Sequence, residues 1–220
     1  MKNESKPKRF LSQDKINLLL ALCAIIISGA SFYATFLQAN AAEKQVKAGT
    51  WPWMQFVTGN FDLDERSQVI TFKLKNSGAG PALVKYLKYD NEGKEYFDVY
   101  GLIGACCFDI SAYEKALLAL QEKNKKIDYF SEFGWLLSSF ARNSLVQPGD
   151  EINLLSFKKT KYNEKFWNTL DKERFKLKVE VCYCSILEDC YISNGLGETQ
   201  EVEMCPAIPS SKSNNKKAAD

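Results

Sequence analysis

The sequence predicts a mainly β protein, with an N-terminal transmembrane helix followed by an antiparallel β domain that carries helical insertions. Three observations carry this expectation. Residues 16–42 form a run of 27 residues without a charge, enough for the roughly 20 residues that a helix needs to cross a bilayer. In SQVITFKLKN, Ile70, Phe72 and Leu74 alternate with Thr71, Lys73 and Lys75, the period-two pattern of a strand with one buried and one wet face. Two turn clusters, NSGAGPA and NEGK, separate runs of strand length. A chain of 220 residues with 45% apolar content can bury one core of ordinary size once the span is set aside. The expected soluble domain is 51–206.

Residues 1–15 carry five Lys/Arg against two Asp/Glu, a net +3, and form the expected cytoplasmic tail. The span is placed at 16–37, with Phe32, Tyr33 and Phe36 as interfacial aromatics near its far end. Basic residues on the N-terminal side orient it with the N-terminus in the cytoplasm and the rest outside, a signal-anchor arrangement whose partner is the lipid bilayer. Ala39, Asn40 and Ala41 make an A-x-A pattern open to signal peptidase, but the apolar run exceeds the roughly 7–15 residues of a signal-peptide core, so retention is expected. Cys23 follows Leu22, too large for a lipoprotein cleavage box, and reads as an apolar member of the span. AEKQVKA continues a helical stem over 38–50, which stops at Trp51 and Pro52.

TWPWMQF begins the folded domain, where Trp51 and Trp53 are either headgroup anchors or the first inward-facing strand residues; the apolar run through Met54, Phe56 and Val57 favours the strand. After SQVITFKLKN, Asn76, Gly78, Gly80 and Pro81 mark a turn in which glycine permits backbone angles closed to other residues and proline restarts the chain. PALVKYLKYD returns, NEGK turns again, and EYFDVYGLIGACCF follows as a further strand, so the whole reads as a meander. Ser111 and Glu114 have capping-box spacing, and Tyr113, Ala116, Leu117 and Leu120 fall on one helical face, with Lys123, Lys125 and Lys126 at its basic end. Residues 127–140, rich in aromatics, fit strand or loop. QPGDE is a turn, INLLSFKK a strand, and NEKFWNTLDKE a helix with Asn163 as its cap. In RFKLKVEVCYCSI, Phe175, Leu177, Val179, Val181 and Tyr183 share one face, and Cys182 and Cys184 point away from the core.

The order of a short tail, one helix, a WP-containing first strand, the turn Asn76-x-Gly78-x-Gly80-Pro81-Ala82 and a late VCYCS segment resembles a group of bacterial single-pass membrane proteins of unassigned function. The resemblance covers most of the chain. It implies an immunoglobulin-like sandwich in the periplasm, anchored in the inner membrane, and no catalytic residue. The chain departs from true immunoglobulin domains in lacking their Cys…Trp…Cys spacing.

Six cysteines lie beyond the span: Cys106, Cys107, Cys182, Cys184, Cys190 and Cys205. An even number in an oxidising compartment points to disulfides, although six allow 15 connectivities. A five-residue SILED loop would set Cys184 opposite Cys190, which favours that bridge. Cys182 would then pair with Cys106, Cys107 or Cys205, and a vicinal Cys106–Cys107 bond ranks below two separate long-range bridges. The chain has no histidine. Ser-His-Asp and Cys-His catalysis are therefore excluded, and Cys-Cys and Cys-x-Cys spacings suit structural zinc poorly. The carboxylate pairs Asp62 with Asp64 and Glu188 with Asp189 sit in turns and read as solvated. Residues 51–206 hold 19 Lys/Arg against 23 Asp/Glu, a net −4, which offers no basic face to nucleic acid. Residues 207–220 read as a disordered tail. The expected function is a non-enzymatic, membrane-anchored interaction or scaffold domain with an envelope protein as partner and no cofactor. The alternative is a thiol–disulfide or soft-metal handling protein.

Overall fold

The computed structural model describes residues 12–107, 109–123, 132, 134 and 136–208, and it divides into two compact units, Met1–Ala48 and Gly49–Asp220. The basic cluster at 2–9, Lys125, Lys126, and the predicted tail from 209 onward lie outside the described residues. The first unit is built on α1 (Gln13–Thr50), one continuous helix of 38 residues with no buried side chain and a mean hydropathy of 2.1 over its most apolar window. At 1.5 Å per residue it is about 57 Å long, against roughly 30 Å of bilayer hydrocarbon. It is long and apolar enough to cross a membrane, by the same length and composition that a signal sequence near an N-terminus would show.

The second unit consists of two antiparallel sheets. One has the order β1 (Met54–Gly59), β2 (Val69–Asn76), β7 (Glu151–Lys158), β5 (Leu136–Ser138). The other runs β10 (Thr199–Val202), β9 (Cys190–Ser193), β8 (Lys178–Cys184), β3 (Ala82–Asn91), β4 (Lys94–Tyr96), with β6 (Leu145–Val146) paired to β3. The alternation in β2 does what its period demands: Ile70, Phe72 and Leu74 are fully buried. They share one core with Leu155 and Phe157 of β7 and with Val84, Val181 and Tyr183 of the facing sheet.

The meander expectation is corrected. β2 pairs with β1 and β7, whereas β3 pairs with β4, β6 and β8. NSGAGPA is thus a crossing from one sheet to the other. NEGK does form a hairpin, with Glu92 and Gly93 at φ 54° and 83° and Asn91 opposite Lys94, as a two-residue loop that matches strand twist requires. The following segment is a strand for only three residues. Asp98 then accepts a hydrogen bond from Gly101 N at 2.6 Å and starts α2 (Val99–Cys106), whose Val99, Leu102 and Ile103 are buried at i, i+3 and i+4. Read as strand from its apolar content alone, GLIGAC is helix because the aspartate cap satisfies its first turn.

Two further caps differ from expectation. α3 (Ile110–Lys123) starts ahead of Ser111, whose hydroxyl donates to Asp109 Oδ1 at 2.8 Å, so the Ser111–Glu114 box does not form. Tyr113 packs edge-on against Phe166 with ring centroids 5.7 Å apart, while the side chains of Ala116, Leu117, Leu120 and Lys123 lie outside the described set. α4 (Glu164–Glu173) follows Asn163 as expected, but the Asn163 side chain accepts from Thr160 N at 2.8 Å and donates to Lys158 O at 2.7 Å. It secures the incoming loop instead of the helix. Trp167, donating to Phe157 O at 3.0 Å, docks α4 on β7. Of 127–135, only Glu132 and Gly134 are described, and Leu136–Ser138 is the short edge strand β5.

Candidate functional site

Asn76 ends β2 and is fully buried. Its Oδ1 accepts from Trp53 N at 3.2 Å and Gly78 N at 3.0 Å, and its Nδ2 donates to Gly80 O at 2.8 Å and Val146 O at 3.0 Å. Its backbone N–H donates to Asp150 O and its carbonyl accepts from Gly149 N. Through side chain and backbone together, this one residue joins the chain before β1, the crossing to β3, the end of β6 and the turn before β7. The predicted turn residues Asn76, Gly78, Gly80 and Pro81 are thus brought together, but for a different reason from the one the sequence suggests. Neither Gly78 nor Gly80 has positive φ; a Cβ on either would run into backbone atoms, of Trp51–Trp53 and of Thr50 respectively. Ser77 N donates to Trp53 O and Ala79 N to Trp51 O, at 2.8 and 2.9 Å. That backbone pairing leaves no room for a side chain. Trp51 and Trp53 precede the strand, and Trp53 is held by its indole N–H donating to Gly197 O at 2.8 Å.

Four of the six predicted disulfide cysteines converge on the outer face of β8. The strand begins at Lys178, later than the alternation implied, and Phe175 is 72% exposed. Over Val179 to Cys184 the predicted facing holds: Val179, Val181 and Tyr183 join the core, and Cys182 and Cys184 point the other way. Cys184 lies opposite Cys190 across the SILED loop and is bonded to it, with Cα atoms 4.0 Å apart. Cys182 is bonded to Cys205, Cα–Cα 5.8 Å. The segment after β10 is thereby laid over Cys182 and Cys184, which are buried although they lie outside the core. Closing loops of these separations, 23 and 6 residues, restricts the unfolded chain by about 3 and about 2 kcal/mol respectively.

Cys106 and Cys107 are bonded to each other at the end of α2, Cα–Cα 3.7 Å. This corrects the ranking of a vicinal bond below two long-range bridges. The four cysteines on β8, β9 and the C-terminal segment satisfy one another, which leaves the adjacent pair only itself. Cys23 of α1 is the free cysteine. No protein-family model, curated protein or solved structure matches the chain.

The sulfurs of Cys184, Cys190 and Cys205 all lie within 4.8 Å of one another. As disulfides they present no thiolate, the form that binds metal or attacks an electrophile. A cleft of about 310 Å³ opens on them, lined also by Lys85, Arg142 and Met204. A larger cleft of about 490 Å³ lies between β3, the start of α2 and the segment after β5; Tyr86, Phe97, Tyr100, Phe140 and Arg142 line it, and Phe140 is 75% exposed. Beside it Tyr86 donates to Glu180 Oε1 at 2.7 Å, and Lys88 bridges Glu180 and Glu95 at 3.1 Å each. Burial opposes the Lys88 charge, but these two carboxylates outweigh it and raise its pKa. Asp62 accepts from Asp64 N and Glu65 N at 2.9 Å and closes a local turn. It acts as a turn former.

Tyr183 is a buried phenol whose hydroxyl lies beside the Met54 backbone without a bond of good geometry. Burial pushes its pKa up to about 12, with the neighbouring Tyr191 adding to the rise. Burial also raises Tyr86 and Tyr89. A phenol that keeps its proton in the fold to higher pH than in the unfolded chain, where the value is about 10, contributes stability that is complete below pH 10 and is lost as pH rises toward 12. Melting temperature is expected to fall over that window, with a shallower slope in Tyr183→Phe. At pH 7 the same variant is expected to be neutral or slightly stabilising, because it removes an unbonded buried hydroxyl. A loss above about 1 kcal/mol at pH 7 in a urea titration would show that the hydroxyl is bonded.

Proposed function

We propose that this chain is a membrane-anchored interaction domain of the bacterial envelope, held outside the cytoplasm by α1 and non-enzymatic. The observation that carries this reading is the pairing of a 38-residue apolar helix with a domain in which all six cysteines are disulfide-bonded while Cys23 of the helix is free. Disulfides belong to oxidising compartments, and the basic N-terminal residues favour a cytoplasmic tail. The strand order β1-β2-β7-β5 against β3-β8-β9 parallels the ABED and CFG sheets of immunoglobulin constant-type domains, which supports the immunoglobulin-like class. The aromatic cleft with Arg142 has the residue types enriched where proteins bind one another, and it is the face offered to an envelope partner.

Fractionation tests the reading. The full chain, expressed in a bacterium, is expected to resist alkaline extraction from membranes and to be digested by protease added to spheroplasts, leaving a short protected N-terminal fragment. A soluble product beginning after Ala41, or a domain protected from the added protease, would overturn it.

A further inference from the structure

We infer that the two bridges on the outer face of β8 form an exchange-coupled pair, in which a thiol released at Cys184 displaces Cys182 from Cys205. This goes beyond the anchoring role and does not depend on it. Cys184 Sγ and Cys205 Sγ belong to different disulfides yet lie 4.0 Å apart, so the atom that would attack and the atom attacked are already neighbours. Cys184 sits in a strand paired on both sides, whereas Cys205 lies in irregular chain after β10 and can shift to meet it. Among the described residues, the cleft beside both sulfurs is lined by two cationic side chains, Lys85 and Arg142, and by no carboxylate. Nearby positive charge favours the thiolate, the nucleophile of disulfide exchange.

The ligand class this implies is a thiol or dithiol, small or protein-borne. Its thiolate attacks Cys190 Sγ and forms a mixed disulfide, and Cys184 leaves with the electron pair of the broken bond. The Cys184 thiolate then attacks Cys205 Sγ. A Cys184–Cys205 bond forms as Cys182–Cys205 breaks, and Cys182 takes the electron pair and then a proton. This second step is an exchange with no net oxidation or reduction. Its result is to move the free thiol from the cleft to Cys182, which is fully buried, where it is shielded from further reaction.

The test is disulfide mapping of the full chain in detergent. Cys190→Ser leaves Cys184 without its partner; after acid quenching, alkylation in denaturant and non-reducing digestion, a Cys184–Cys205 peptide and alkyl label on Cys182 are expected. Label confined to Cys184, with Cys182–Cys205 intact, would overturn the proposal. Should that variant not fold, the wild-type protein treated with substoichiometric dithiothreitol is expected to gain the same Cys184–Cys205 peptide, which untreated protein lacks. Recovery of only the native bridges together with an opened Cys184 and Cys190 would overturn it equally.

Discussion

Asn76→Ala is expected to destabilise the globular unit by about 4 kcal/mol, a fall of roughly 8–16 °C in melting temperature for a domain of this size. The side chain makes four hydrogen bonds, all to backbone groups, from a fully buried position. Losing them leaves two N–H groups and two carbonyls short of a partner, and each buried orphan costs about 1–3 kcal/mol unless water reaches it. Asn76→Asp separates the two halves of the amide. It keeps the acceptor for Trp53 and Gly78 but sets a second oxygen against the carbonyls of Gly80 and Val146. It is expected to be no better than alanine at neutral pH. A melting temperature within about 3 °C of wild type for Asn76→Ala would mean that the four bonds are readily replaced by water.

Gly80→Ala is expected to cost about 3 kcal/mol or more, the upper end of overpacking penalties, because the added Cβ would lie closer than 3.0 Å to three backbone atoms of Thr50. Backbone cannot rotate aside as a flexible side chain can. The companion is Gly93→Ala in the β3–β4 hairpin, where φ is +83° and nothing lies within 4 Å. There only the left-handed conformation is penalised, at roughly 1–2 kcal/mol. Urea denaturation of the two variants separates steric exclusion from backbone conformation. Equal losses would show that the backbone around Thr50 gives way to the added Cβ.

These two glycines mark where local reasoning holds and where it fails. The Glu92-Gly93 hairpin was legible because a two-residue loop is decided by the φ values of its own residues. Gly80 looked equally like a turn glycine, but its constraint comes from Thr50, 30 positions away in the chain. The same limit explains the meander. NSGAGPA has the composition of a hairpin turn, and only the partners of β2 and β3 show that it crosses between sheets. GLIGAC went to the wrong class because a short apolar run fits strand or helix, and the deciding signal was the Asp98 cap.

At the cysteines, sequence spacing was sufficient for Cys184 with Cys190, since strand register across a five-residue loop places them opposite each other. It could not choose the partner of Cys182. Cys205 reaches it because the chain after β10 folds back over β8, and the vicinal Cys106–Cys107 bond follows once the other four are taken.

The sequence by itself determined the long apolar helix, the alternating strands and the parity of the cysteines, because each is set by composition or by a period of a few residues. Only the tertiary structure decided which strands share a sheet, why Asn76 and its glycines must be what they are, and which sulfurs stand 4.0 Å apart. Those are properties of contact between segments distant in the chain, and contact is fixed by packing that no single segment encodes.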